Sequence, residues 1–231
     1  MYNEIKEKVL KANLELPKFG LVTFTWGNVS VIDRKNNIIA IKPSGINYED
    51  MSAKDIVILD MDGQIIEGEL NPSSDTPTHL IIYKYLLGIN SIVHTHSTYA
   101  TSWAQSKRAI PCYGTTHADY FYGEIPCTRE LEPSEIEFEY EKNTGRIILE
   151  KFKSIDPIAV PGILVPNHGP FVFGKDSVES VHNAVVLEEV AKMAYISENL
   201  NNKIEIAPRD IQKKHYLRKH GKNSYYGQKN K

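Results

Sequence analysis

Cysteine is nearly absent: Cys112 and Cys127 are the only two in 231 residues. Two thiols cannot staple a chain of this length, so a disulfide scaffold is excluded. The pair reads as reduced thiols in a reducing compartment, with a single bridge as the other arrangement open to it. An excess of charge of one sign is also lacking. The 27 Lys and Arg against 29 Asp and Glu leave a formal net charge of -2 and a pI near 6.5, which gives no footprint for nucleic acid or an anionic membrane. An anionic substrate would therefore need a local basic pocket. No apolar run approaches the ~20 residues of a membrane span, and the N-terminus, Met1-Tyr2-Asn3-Glu4-Ile5-Lys6, is charged rather than an apolar leader. A cytoplasmic protein is expected. With 41% hydrophobic residues, no linker and no internal repeat, residues 1–231 are expected to form one α/β domain with a sizeable core.

What the chain does have is Ser91-Ile92-Val93-His94-Thr95-His96-Ser97, an apolar run ending in two imidazoles two residues apart. Side chains at that spacing on a strand share a face. The pair can offer two neutral nitrogens to one divalent cation, although histidines this close also occur as ordinary packing residues. Further on, Gly162-Ile163-Leu164-Val165-Pro166 reads as a second apolar strand, ending in Asn167-His168-Gly169-Pro170. Two strand ends bearing His at one sheet edge can close a three-His site with an open position, the arrangement of a catalytic zinc.

Around these stretches the periodicity predicts a helix over residues 3–16, a strand over Thr23 to Val31 with Gly27-Asn28 as a candidate contact, and a strand over Ile38 to Ile41. Ile56 to Leu59 and Gln64 to Glu67 form a hairpin across Asp62-Gly63. These strands suggest an antiparallel sheet. Lys42-Pro43-Ser44-Gly45 puts a cation, a hydroxyl and a flexible amide in one turn, which can hold a phosphate or simply connect two strands. Asn71-Pro72-Ser73-Ser74-Asp75-Thr76-Pro77 is rich in capping side chains and opens a helix that runs to Gly88; its exposed amides and hydroxyls also suit a phosphate.

Ser97 is expected to cap the next helix. Tyr113 to Gly123 is an aromatic, polar stretch without either periodicity, read as a loop, in which Asp119 is the titratable group of interest. Ser134 to Ser154 reads as a charged, solvated outer layer, helical but broken at Asn143-Thr144-Gly145. Asp176 begins a long core helix whose His182 is a packing residue. The tail, about 208–231, is a basic helix end followed by Tyr225-Tyr226, aromatic enough to dock on its own chain or on a neighbour.

Thr25-Trp26-Gly27-Asn28-Val29-Ser30, Lys42-Pro43-Ser44-Gly45, Pro72-Ser73-Ser74-Asp75-Thr76, His94-Thr95-His96, Gly114-Thr115-Thr116-His117-Ala118-Asp119-Tyr120, His168-Gly169-Pro170 and His215-Tyr216-Leu217-Arg218-Lys219-His220 together resemble the class II aldolase/adducin-head family over nearly the whole length. Within it the chain resembles the L-ribulose-5-phosphate 4-epimerases. The resemblance implies a central, mainly antiparallel sheet with helices on both sides, assembled as a homotetramer with active sites between subunits. It makes His94, His96 and His168 ligands of a divalent cation, usually Zn2+, with Asp75 beside or on it. Asp119 and Tyr226 match the family's proton-transfer residues. Gly27, Asn28, Ser44, Gly45, Ser73 and Ser74 match its substrate and phosphate contacts, with Lys42 an addition. His215 and Arg218 match tail residues that reach a neighbouring subunit's site, as Tyr226 does.

The activity implied is C4 epimerisation of a pentulose phosphate, L-ribulose 5-phosphate to D-xylulose 5-phosphate, by cleavage and re-formation of the C3-C4 bond, in arabinose catabolism or a related sugar pathway. Two other readings stand beside it: a class II aldolase of the L-fuculose-1-phosphate type, and a non-catalytic adducin-head-like assembly module. The complete histidine set argues against the last. Asp at position 75, where related aldolases usually have Glu, leans toward the epimerase.

Overall fold

Strands built from Val, Ile, Leu and Phe on consecutive positions need cover on both faces, because neither face can be left in water. The computed structural model describes residues 2–227; Met1 and the last four residues of the expected tail, 228–231, lie outside the described residues. In chain order the elements are α1 (Asn3–Lys18), β1 (Asn28–Asp33), β2 (Ile38–Ile41), β3 (Val57–Asp60), β4 (Ile65–Glu67), α2 (Thr76–Tyr85), β5 (Ser91–His94), α3 (Thr98–Gln105), α4 (Thr115–Ala118), α5 (Pro133–Glu137), α6 (Tyr140–Phe152), β6 (Gly162–Val165), β7 (Gly169–Gly174), α7 (Ser177–Leu200) and α8 (Arg209–His220). The strands form one sheet in the order β4-β3-β2-β1-β5-β7-β6, and each neighbouring pair is antiparallel.

Successive residues of each strand enter opposite layers. Ile38, Ala40, Ile58, Val93, Leu164 and Val172 join α1, α3 and α7 on one face. Ile39, Ile41, Val57, Leu59, Ile92, Ile163, Phe171 and Phe173 join α2 and α6 on the other. The architecture is the α/β, antiparallel, two-sided one expected. No helix among the described residues is long and apolar enough to cross a membrane.

Several local expectations are corrected. β1 begins at Asn28 rather than Thr23, because residues 23–27 turn: Trp26 N–H donates to the Thr23 carbonyl, Phe24 is left-handed (φ 51°), and the Tyr48 hydroxyl reaches the Trp26 and Gly27 carbonyls. α1 runs through Pro17 to Lys18. The 113–123 stretch contains the short helix α4. The helical break falls at Phe138-Glu139, where Glu139 is left-handed (φ 55°), and not at Asn143-Thr144-Gly145. Nor is this region a solvated layer: Asn143, Thr144, Gly145, Ile147, Ile148 and Phe152 are buried. Gly145 is there for close packing, since a Cβ on it would lie 2.9 Å from two carbons of Ile81.

Buried polar groups tie the layers together. Asn13 of α1 accepts from Val29 N–H (2.9 Å) and donates to the Val29 carbonyl (3.2 Å), holding α1 to β1. On the opposite face Ser30 Oγ lies 2.7 Å from His79 Nδ1 and 2.8 Å from the Tyr83 hydroxyl. His117 Nε2–H donates to the Gly123 carbonyl at 2.7 Å.

Burial drives His117 down to about 4 and fully buried His79 down to about 3, so both are neutral in the fold. In the unfolded chain each titrates near 6.5. Between those values the unfolded chain binds protons that the folded one does not, so stability rises with pH through this window and falls on acidification. The melting temperature of metal-free protein is expected to drop from pH 7 to pH 4.5, and less steeply for His117→Gln, which keeps a donor for Gly123 but no titratable ring. Equal pH slopes in thermal unfolding would refute this.

Candidate active site

Three strand ends meet at one edge of the sheet. β1 starts, β5 ends and β7 starts there, with Asn28 paired to His94 and His94 paired to Phe171. His94 points to the α2 side, where its ring stacks on Phe171 (4.2 Å between centroids, 19°). Its Nδ1–H donates to the Pro170 carbonyl at 2.9 Å, leaving the Nε2 lone pair free to face outward. His96 Nε2 lies 3.1 Å from His94 Nε2, and His168 closes the triangle, with ring centroids 4.6 Å from His94 and 5.2 Å from His96.

One nitrogen from each ring lies within 4.8 Å of the others. Two facing lone pairs at 3.1 Å repel unless a cation or proton lies between them, and the buried His168 Nδ1 has no protein partner. Burial, then the neighbouring imidazoles, pushes His168 down to about 3, and burial lowers His96. His168 is thus a neutral donor near neutral pH. This donor set fits a divalent metal ion.

Asp75 occupies the N-cap position of α2 but makes no side-chain cap bond. Its Oδ2 instead accepts from Asn28 Nδ2 (2.8 Å) and sits 3.9 Å from His94 Nε2. Burial pushes its carboxyl up, and the adjacent imidazoles and the Asn28 amide outweigh that, holding it below the usual carboxylate range. The Asn28 amide also donates to Ser73 Oγ (3.0 Å), while its buried Oδ1 has no protein partner. Gly27 is required beside it: φ is +80°, and a Cβ would meet the His94 carbonyl at 2.7 Å.

The two candidate phosphate turns lie against each other. Ser44 N–H donates to the Asn71 carbonyl (2.9 Å), Ser73 N–H to the Lys42 carbonyl (3.0 Å), and Pro43 bridges Pro72. Ser44, Gly45 and Ser74 are exposed there, and Ser73 is buried next to Asn28. Lys42 is only 2% exposed and has no carboxylate partner among the described residues; its ammonium reaches the Pro43 carbonyl (3.2 Å) and lies 5.0 Å over the Tyr48 ring. Burial lowers it to about 8.

A second cluster forms where α8 packs on α4. Arg218 clamps Asp119 through Nε (3.0 Å) and Nη2 (2.7 Å), His215 Nδ1 lies 3.1 Å from Asp119 Oδ1, and His220 Nε2–H donates to the Asp119 carbonyl. Burial raises the Asp119 carboxyl, but the hydrogen bonds from Arg218 and His215 and the Lys219 charge prevail and keep it ionised. Tyr226 folds back onto this group: its N–H donates to the Arg218 carbonyl (3.1 Å), and its ring lies under Arg218 (4.9 Å) and Lys219 (4.4 Å). His215, Arg218 and Tyr226 thus gather on Asp119 of their own chain. His182 is exposed on α7 rather than packed in the core as expected; its ring lies 5.2 Å from that of Tyr120.

Two site neighbours carry no signal in the sequence. Tyr140 opens α6 with its ring 6.2 Å from His168, where burial and then the charge of Asp75 raise its hydroxyl. Its setting among Glu139, Glu141 and Lys142 reads as solvated surface. Glu188, one of many acidic helix residues, receives the Tyr99 and Ala100 N–H groups at 2.8 Å each. The cap expected from the Ser97 side chain is not made.

The structure of an L-fuculose 1-phosphate aldolase is similar to this one, with 25% identity, a TM-score of 0.77, and 92% of this chain and 94% of that one covered. YgbL of Klebsiella pneumoniae (22% identity, TM-score 0.73, 91% and 97% covered) and an L-fuculose-1-phosphate aldolase of Thermus thermophilus (19%, 0.68, 87% and 99%) share the fold. The family model for the class II aldolase and adducin N-terminal domain matches residues 7–195, a span that contains the strand-end histidines, both phosphate-type turns and Asp119. The chain belongs to the class II aldolase and adducin N-terminal domain family.

Proposed function

We propose that this protein interconverts L-ribulose 5-phosphate and D-xylulose 5-phosphate by cleaving and re-forming the C3-C4 bond. The C4 hydrogen is not adjacent to the C2 carbonyl and is not acidic, so direct deprotonation is closed as a route. Retro-aldol cleavage gives the enediolate of dihydroxyacetone and glycolaldehyde phosphate; the aldehyde turns its other face and adds back. A divalent cation held by His94, His96 and His168, with Asp75 beside it, would supply positive charge to the oxygens on which negative charge develops.

The protein's own groups do the rest. Asn28 Oδ1, buried without a partner, is placed to accept a substrate hydroxyl. Lys42, Ser44, Gly45, Ser73 and Ser74 hold the phosphate, so the aldehyde fragment rotates without leaving. Asp119 and Tyr226 exchange the C4 hydroxyl proton, one serving each epimer. The observation that carries this reading over simple cleavage is the gathering of the C-terminal tail on Asp119 through Arg218, His215 and Tyr226. That these residues form one cluster and the imidazoles another supports a reading in which the site is completed between subunits of a homotetramer. The second reading, an aldolase that releases dihydroxyacetone phosphate from L-fuculose 1-phosphate, is favoured by the similar fuculose-phosphate aldolase structure.

Purified, zinc-loaded protein offered each sugar phosphate separately distinguishes the two. D-xylulose 5-phosphate is expected from L-ribulose 5-phosphate, with no cleavage of L-fuculose 1-phosphate; the opposite pattern selects the aldolase. His96→Ala is expected to lose both zinc and turnover, and full zinc occupancy by metal analysis would disprove the ligand assignment. Asp119→Asn is expected to lower turnover by about 10²- to 10⁴-fold, the range of general acid–base catalysis. Mixed with His96→Ala subunits it should regain activity, each chain supplying the cluster the other lacks. Mixing it with Tyr226→Phe should restore nothing, because those two changes fall in one cluster, and recovery there would place Tyr226 elsewhere.

A further inference from the structure

We infer that Glu188 is a positioning residue of the metal site, acting on His96 through the first turn of α3; this rests on the reading of the three histidines as ligands. α3 starts at Thr98, two residues beyond His96, so the turn that opens this helix sets where the His96 backbone leaves the sheet. The Ser97 side chain does not cap it. The two oxygens of half-buried Glu188, from the middle of α7, take the Tyr99 and Ala100 N–H groups at 2.8 Å each. A carboxylate at the positive end of a helix makes charge-assisted bonds, stronger than those of a hydroxyl cap.

The same turn is closely packed on its other side. A Cβ on Gly169 would lie 2.7 Å from the Thr95 carbonyl, 3.3 Å from Thr101 Oγ1 and 3.4 Å from His96 Cδ2. Gly169 directly follows His168. The first turn of α3, His96 and the His168 strand end therefore form one contact, and Glu188 anchors it to α7. Without the carboxylate two N–H groups at the helix start lose their acceptor, the turn relaxes, and His96 shifts away from His94 and His168.

The test is zinc affinity, read by chelator competition on the full-length protein and independent of any substrate. Glu188→Ala is expected to weaken zinc about 10- to 100-fold, the usual effect of removing a group that orients a ligand. Glu188→Gln keeps a carbonyl acceptor and is expected to recover part of the loss. Arg108→Ala removes the Arg108–Glu198 pair, which ties the far end of α3 to α7, and is expected to leave zinc affinity unchanged. Wild-type affinity in Glu188→Ala would overturn the inference and make Glu188 an ordinary helix cap. If Glu188→Ala does not fold, Glu188→Gln decides, a several-fold loss supporting the inference and none refuting it. A wild-type chain that binds no zinc removes the ligand reading and this inference with it, whereas failure of the sugar-phosphate assay alone touches neither.

Discussion

The pairing of β5 between β1 and β7 is the constraint on which the rest depends. In an antiparallel sheet, neighbouring strands bring a start, an end and a start to the same edge. Here those are Asn28, His94 and the Gly169 that follows His168. A one-residue slip of β5 would send His94 into the layer of α1, α3 and α7 and break the set. Two features oppose a slip. Ile92 and Val93 are fully buried on opposite faces, and only a glycine at position 27 leaves room for the His94 carbonyl where the present register puts it. The packing that stabilises the sheet therefore also sets the spacing of the imidazoles.

Charge is separated over two clusters. At the imidazole edge burial keeps His168 neutral, and one carboxylate, Asp75, lies beside the rings, so it is a site that favours a cation. The Asp119 group combines one carboxylate with Arg218 and Lys219 and carries net positive charge. The family resemblance puts proton transfer at the second and charge stabilisation at the first. Keeping the carboxylate of Asp119 paired with Arg218 makes it a weak base while the site is open.

Much of this is legible in sequence where the period of two operates. His94 and His168 are readable because one ends an apolar strand and the other lies just past one, and strand ends are where a sheet presents side chains to a ligand. The turns at Lys42 and Ser73 are readable from their composition, though not their backbone contact, which joins segments far apart in the chain. Asp75 illustrates the boundary: its position at a helix start is plain, but its carboxylate turns from the helix toward Asn28, a choice set by tertiary neighbours. Tyr140 and Gly145 are misread for one reason. A charged, glycine-containing segment looks solvated until α2 is seen to pack against it. Glu188 cannot be read from sequence at all, because helix periodicity does not reveal which distant N–H groups a surface carboxylate will meet.

Epimerisation differs from cleavage in one physical requirement: the aldehyde fragment must rotate while it stays bound. A phosphate cradle formed by two independent loops would move as the fragment turned. In this chain the cradle turns are joined by two backbone hydrogen bonds and the Pro43–Pro72 bridge, and Asn28 links Ser73 directly to Asp75. The two turns and the imidazole edge are therefore tied into one rigid unit, in which, on the proposed reading, only the aldehyde carbon would turn. That rigidity lowers the entropy lost on recombination and opposes escape. On the proposed reading, the backbone joins between the two turns would favour retention of the fragment.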